Sequence, residues 1–153
     1  MAIEARRTVS APAAAVWAIT TDIDGSPEVL TAVESVERLD DLDGFGVGTR
    51  WRETRTMFGA QATEVMEVTD VDPGHRYTVV AVNGTTTYTS TITVTPFGTD
   101  RCELAMSFDG TNTSVTGRVL AATIGRLMAG TTRRALQRDL DDIAARATGT
   151  DAG

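Results

Sequence analysis

The chain has 153 residues, 41% of them hydrophobic and 23% charged, which suits one domain around one core and excludes disorder and a membrane-embedded protein. Its formal net charge is −7 and its sequence pI about 4.6, a balance that repels a phosphate backbone and argues against a nucleic-acid partner. All 14 basic residues are Arg, so chemistry through a lysine Schiff base is excluded.

The first residues, Met1-Ala2-Ile3-Glu4-Ala5-Arg6-Arg7, lack an apolar signal core. No apolar run approaches the roughly 18 residues of a membrane span, so the expectation is a cytoplasmic protein without stable membrane insertion. After an opening strand, Val9-Ser10-Ala11-Pro12 starts a helix. Ser10 or Ala11 lies near the cap, Pro12 suits the first turn, and Ala13 to Thr21 are helix-compatible. A short second helix is predicted around Ser26-Pro27-Glu28-Val29-Leu30. From Val33 to Gly110 the hydrophobic period falls to two, broken by turn signals, as in an antiparallel meander. From about Val115 to Ala147 the period is helical again. The predicted order is strand, two helices, six strands and one long helix, as a single domain over residues 1–148 with a disordered tail over 149–153.

Turn chemistry sets trial registers. A turn centred on Gly59-Ala60 puts Arg55 opposite Glu64, Glu53 opposite Met66, Trp51 opposite Val68 and Arg52 opposite Glu67. A turn centred on Asn83-Gly84 puts Val79 opposite Tyr88, and a loop Gly98-Thr99-Asp100 aligns Val94 with Leu104, Ile92 with Met106 and Ser90 with Phe108. All three agree on the inner face. Thr85, Thr87, Thr89, Thr91, Thr93 and Thr95 alternate with Tyr88, Ser90, Ile92 and Val94, so one face of that strand is a solvated hydroxyl ladder. With one long helix available, the sheet must curl around it to bury its other face.

Val9-Ser10-Ala11-Pro12-Ala13-Ala14-Ala15-Val16-Trp17, Val47-Gly48-Thr49-Arg50-Trp51, and the long helix after Phe108-Asp109-Gly110 together resemble the START-like (SRPBCC) superfamily, in its polyketide cyclase/dehydrase branch. The resemblance spans essentially the whole chain. It implies an α+β helix-grip fold: a seven-stranded antiparallel sheet curled around the C-terminal helix, with two short helices between strands 1 and 2. It also implies a cavity between sheet and helix that holds lipids, polyketides or other apolar molecules. One departure is the polar Asp22-Ile23-Asp24-Gly25-Ser26-Pro27, where related chains often carry a Trp-rich stretch near the pocket entrance.

Chemistry-bearing residues are few. Cys102 and His75 are each the only one of their kind, so neither a disulfide framework nor a zinc site is expected. His75 ends Asp72-Pro73-Gly74-His75, which reads as a tight turn rather than a catalytic triad member. Gly44-Phe45-Gly46-Val47-Gly48 lacks the Gly-Lys-Ser/Thr ending of a nucleotide loop and reads as a hairpin connection. No cofactor and no metal is expected.

The third strand points Trp51, Glu53, Arg55 and Met57 inward, with Glu64 on the facing strand. Arg55 can pair one carboxylate and leave the other with a raised pKa, fit for ligand anchoring or acid–base work; the alternative is a hydrated ion pair at the cavity mouth. Catalytic candidates are therefore Arg55, Glu53 and Glu64. The expected pocket lining is Trp51, Glu53, Arg55, Met66, Val68, Tyr77, Val79, Tyr88, Ser90, Ile92, Met106 and Phe108, with Leu120, Ile124 and Met128 from the helix. Tyr77 and Tyr88 each need a hydroxyl partner, from a ligand or from the protein itself. Aromatase/cyclase members of the resembled family orient a polyketide with a pocket Arg beside Trp and Tyr; Trp51 and Arg55 are similar, but residues 10–44 offer only Trp17 as an aromatic. On the last helix, Leu120, Ile124, Leu127, Met128 and Thr131 form one stripe and Leu136, Leu140 and Ile143 another, with Gly125 and Gly130 in the first part. The first half is expected to line the cavity and the second to dock on the sheet.

The leading expectation is binding, and with it transport, of a small hydrophobic or aromatic ligand by a monomer or homodimer. The alternatives are a polyketide aromatase/cyclase or dehydratase, and a partner-regulating domain whose cavity is incidental.

Overall fold

The structure, a computed structural model, describes residues 2–57, 59–112 and 114–149, without the side chains of Met57, Val115 and residues 117–128. The elements run β1 (Ile3–Val9), α1 (Ala13–Thr21), α2 (Ser26–Val29), β2 (Val33–Arg38), β3 (Arg50–Met57), β4 (Ala60–Asp72), β5 (Arg76–Asn83), β6 (Thr86–Pro96), β7 (Cys102–Asn112) and α3 (Val115–Thr148). This is the predicted order. The strands form one seven-stranded sheet in the order β1-β7-β6-β5-β4-β3-β2, antiparallel throughout. The tail expected over 149–153 lies, from residue 150 on, outside the described residues.

Local chemistry explains the boundaries. Pro12 is itself the cap of α1, and its carbonyl accepts from the Ala15 and Val16 N–H groups at 3.0 and 3.2 Å. The helix that follows opens on three alanines, the best helix formers. It buries Val16 and Thr20, one turn apart on the same side. In the connection from β2 to β3, the Gly46 N–H donates to Thr49 Oγ1 and the Gly48 N–H to the Val68 carbonyl, each at 2.9 Å. Those N–H groups are used inside the protein, so the loop is a hairpin connection and not a phosphate cradle. Arg38 grips Asp40 with Nε and Nη2 at 2.9 and 2.7 Å. That bidentate pair, with the Arg50 N–H, holds the Asp40 carboxyl well below the usual carboxylate range.

Two hairpin registers differ from expectation. β3 and β4 pair down to Met57↔Ala60, which sets Arg55 opposite Ala62, Glu53 opposite Glu64, Trp51 opposite Met66 and Arg52 opposite Val65. β5 and β6 close at Asn83↔Thr86, which sets Val79 opposite Ser90 and Tyr88 opposite Ala81. In each case the connecting pair lies one residue away from the expected one. Gly59, at φ 79°, is the second residue of its connection, and Gly84, at φ 61°, is the first of its own. The glycine fixes where φ is positive, but not which of the two central positions it takes. Each partner moves by two residues, an even step, so no side chain changes face. The β6–β7 register, Val94↔Leu104, Ile92↔Met106 and Ser90↔Phe108, is as expected.

The inner face of the sheet is covered unevenly. At one end Val9, Val16, Val68, Val94, Cys102, Leu104 and Leu140 are fully buried. Leu140, Ile143 and Ala144 pack there as one stripe of α3, so the second half of the helix docks on the sheet as expected. Asp142, also buried, accepts from the Thr31 N–H and hydroxyl at 2.9 Å each and ties α3 to the loop entering β2. At the other end Tyr88, Ser90, Met106 and Phe108, on the same strands and the same face, are only half-buried.

Because Leu140 has no exposed surface, Leu140→Ala leaves a cavity at the contact that holds α3 to the sheet. The expected cost is about 2–5 kcal/mol in a urea melt, whereas Thr95→Ala on the exposed outer face should stay within about 0.5 kcal/mol.

Candidate functional site

Alternation along β3 places Trp51, Glu53 and Arg55 on the inner face and leaves Arg50, Arg52 and Thr56 exposed. Glu53 is 7% exposed, a costly place for a carboxylate unless it is paired. Arg55 provides the pair: its Nε donates to Glu53 Oε2 at 3.0 Å, and its Nη1 donates to Asp139 Oδ2 at 3.1 Å. Trp51 Nε1 adds a long hydrogen bond to Glu53 Oε1 at 3.5 Å. The guanidinium therefore bridges β3 to α3. Burial works against the Arg55 charge, but Asp139 and Glu53 outweigh it and raise the Arg55 pKa.

Asp139 is the residue that sequence reasoning missed. It is 6% exposed, and its Oδ1 has no hydrogen-bond partner among the described residues. Burial pushes its carboxyl up; Arg55 pulls the other way, while Glu53 and Asp142 add to the rise. A signal was present. Asp139 lies three residues after Leu136 and four before Ile143, so it occupies a core-facing position of the helix stripe. A search of that stripe for apolar residues passes over it.

Glu64 faces Glu53 across the β3–β4 ladder and not Arg55. It is half-buried. Burial raises its pKa, a hydrogen bond with the Asn83 side chain lowers it, and the Glu53 charge raises it. Beyond it lies an apolar stretch in which Tyr88 stacks on Phe108, with centroids 5.5 Å apart and planes at 20°, beside half-buried Met66, Ser90 and Met106.

Five of the other expected lining residues are buried. Trp51, Val68, Tyr77, Val79 and Ile92 belong to the buried core cluster. The Tyr77 hydroxyl donates to the Thr20 carbonyl at 2.8 Å, and its ring meets Trp17 and Phe45 edge-on at 5.8 and 4.9 Å. Burial raises the Tyr77 pKa. Its hydroxyl is thus satisfied within the protein. The side chains of Leu120, Ile124 and Met128 lie outside the described residues. The structure brings together Glu53, Arg55 and Asp139, with Glu64, Met66, Tyr88, Ser90, Met106 and Phe108 toward the open end. Among the described residues no three His, Cys, Asp or Glu side chains converge as a metal site, and no helix is long and apolar enough to cross a membrane.

A family model described as polyketide cyclase / dehydrase and lipid transport matches residues 1–148. The chain belongs to this family. Solved structures with the same fold include truncated norcoclaurine synthase from Thalictrum flavum, at 22% identity and TM-score 0.77, covering 99% of this chain and 95% of that one. The Zhui aromatase/cyclase from Streptomyces sp. R1128 is 18% identical at TM-score 0.69, covering 99% of both chains. A START superfamily protein from Mycobacterium smegmatis is 13% identical at TM-score 0.64, covering 90% of this chain and 97% of that one. These likenesses establish the START-type helix-grip fold for this polyketide cyclase/dehydrase family member. By sequence, no curated protein matches it.

The ion cluster makes a signed prediction. Arg55→Leu leaves two buried carboxylates without their cation and should cost about 3–5 kcal/mol at neutral pH. Because the folded-state pKa of Asp139 is raised, its contribution favours folding fully below the unfolded-state value of about 3.9 and is lost as pH rises through the folded-state value. Asp139→Asn should therefore cost less than Arg55→Leu at pH 7, and the deficit of Arg55→Leu should shrink on acidification. Urea melts across that pH range read both.

Proposed function

We propose that this family member binds a small apolar or aromatic molecule, lipid- or polyketide-like, in a cavity between the open end of the sheet and α3. The observation that carries this reading is the burial gradient along the inner face. Val94 and Leu104 have no exposed surface, yet Tyr88, Ser90, Met106 and Phe108, further along the same two strands and facing the same way, are half-buried. Concave apolar surface bordered by a few fixed polar groups is the usual form of a small-molecule site. Here the apolar part is the stacked Tyr88–Phe108 pair with Met66 and Met106, whose thioethers adapt to varied shapes. The polar border is Glu53, Arg55, Glu64 and Asp139. The family's description, which includes lipid transport, supports the same reading.

A second reading, cyclisation or dehydration of a polyketide in the same cavity, is favoured by one observation. The Asp139 carboxyl is shifted toward its protonated form beside Arg55, as a general acid requires. Against it, Arg55 already donates from Nε and Nη1 to two carboxylates, which leaves less of the guanidinium to polarise a carbonyl. Binding is therefore the primary reading.

Ser90→Trp tests it, because it fills the open end without touching the ion cluster. Titrating an environment-sensitive naphthalene dye should give saturable binding to the native protein and about tenfold weaker binding to the variant, with the melting temperature preserved. Equal dye affinity in both proteins would remove the site from this end of the sheet. Turnover of a polyketide mimic, lost in Asp139→Asn with dye affinity retained, would favour the second reading.

A further inference from the structure

The inward-facing charges do not balance. Among the described residues of the open end and its border, three carboxylates, Glu53, Glu64 and Asp139, are accompanied by one guanidinium, Arg55, and Glu53 and Asp139 are already committed to it. Glu64 is held by a neutral amide, Asn83. Asp139 shows the shortage independently: its Oδ2 is engaged by Arg55, so its carboxylate lies between helix and sheet, yet its Oδ1 is buried and without a donor among the described residues. A buried carboxylate oxygen without a donor is costly. Asp139 belongs to the same cluster as Arg55 and Glu53, and Glu64 faces Glu53 across the β3–β4 ladder.

We propose that the ligand carries a protonated amine on an aromatic or apolar body, with the amine held by the carboxylates of Asp139, Glu53 and Glu64. This rests on the binding reading above and names the chemical class of the ligand. An ammonium brings donors for the Asp139 oxygen that has no partner among the described residues, and a second cation where those residues supply only Arg55. Burial pushes the carboxyls of Glu64 and Asp139 up, the direction expected where anions outnumber cations in a low-dielectric site. An ammonium entering that site relieves the imbalance; a ligand carboxylate worsens it. The aromatic body has a matching surface in the stacked pair of Tyr88 and Phe108, whose ring faces also favour a nearby cation.

Three probes with one ring system separate the possibilities: naphthylethylamine, naphthylethanol and naphthylacetate, measured by calorimetry at neutral pH and low salt. The amine is expected to bind at least about tenfold more tightly than the alcohol, and the acetate most weakly. Glu64→Gln, a half-buried position where the amide fits the same space, should weaken the amine about fivefold and leave the alcohol unchanged. Asp139→Asn should act in the same direction, with circular dichroism confirming the fold. Alcohol or acetate binding as tightly as the amine overturns the proposal and leaves the binding reading standing. The same holds if both variants leave amine affinity unchanged. If none of the three probes binds, the binding reading falls and this proposal falls with it.

Discussion

One long helix has to cover one face of a seven-stranded sheet, and most other features follow from that mismatch. An antiparallel sheet tolerates water on its outer face, where the Thr-rich rows lie, but its inner face needs a partner. The sheet curls, and the second half of α3 packs Leu140, Ile143 and Ala144 into the curl beside β1 and β7. Trp17, Phe45 and Tyr77 close that end further, as an edge-to-face cluster drawn from α1, the β2–β3 loop and β5. The packed end gives stability, while Tyr88, Ser90, Met106 and Phe108, on the same face, are only half-buried.

The boundary between the two ends is electrostatic. Arg55 bridges Glu53 on its own strand and Asp139 on α3, so the same group that neutralises buried charge also fixes helix to sheet. Buried ion pairs of this kind contribute little net stability relative to a well-packed apolar substitute, yet breaking one is costly. Their clearest effect is positional. A cluster with two carboxylates on one guanidinium, and a third close by, gives the open end a sign as well as a shape.

The sequence made the inner face of the sheet legible because its alternation is strict: Trp51, Glu53 and Arg55 on β3 and Tyr88, Ser90, Ile92 and Val94 on β6 all face as expected. The hairpin registers were less secure. Gly59 and Gly84 both take positive φ, but a glycine can occupy either centre of a two-residue turn, and each expected register was displaced by an even step. That displacement changed Arg55's cross-strand neighbour from Glu64 to Ala62. It therefore altered the expected chemistry of the site while leaving every side chain on its face.

Period, turn residues and the order of elements are local properties, and from them the sequence by itself determined the strand count, the two short helices, the long final helix and the inward residues. The docking of α3 is not local. Asp139 reaches Arg55 across 84 positions of chain, and no spacing rule connects a residue on a helix with a strand so far away. Nor does alternation tell a closed end from an open one, since Val94 and Ser90 lie on the same face of the same strand. Which of them is buried depends on where the helix rests, and only the tertiary structure decided that.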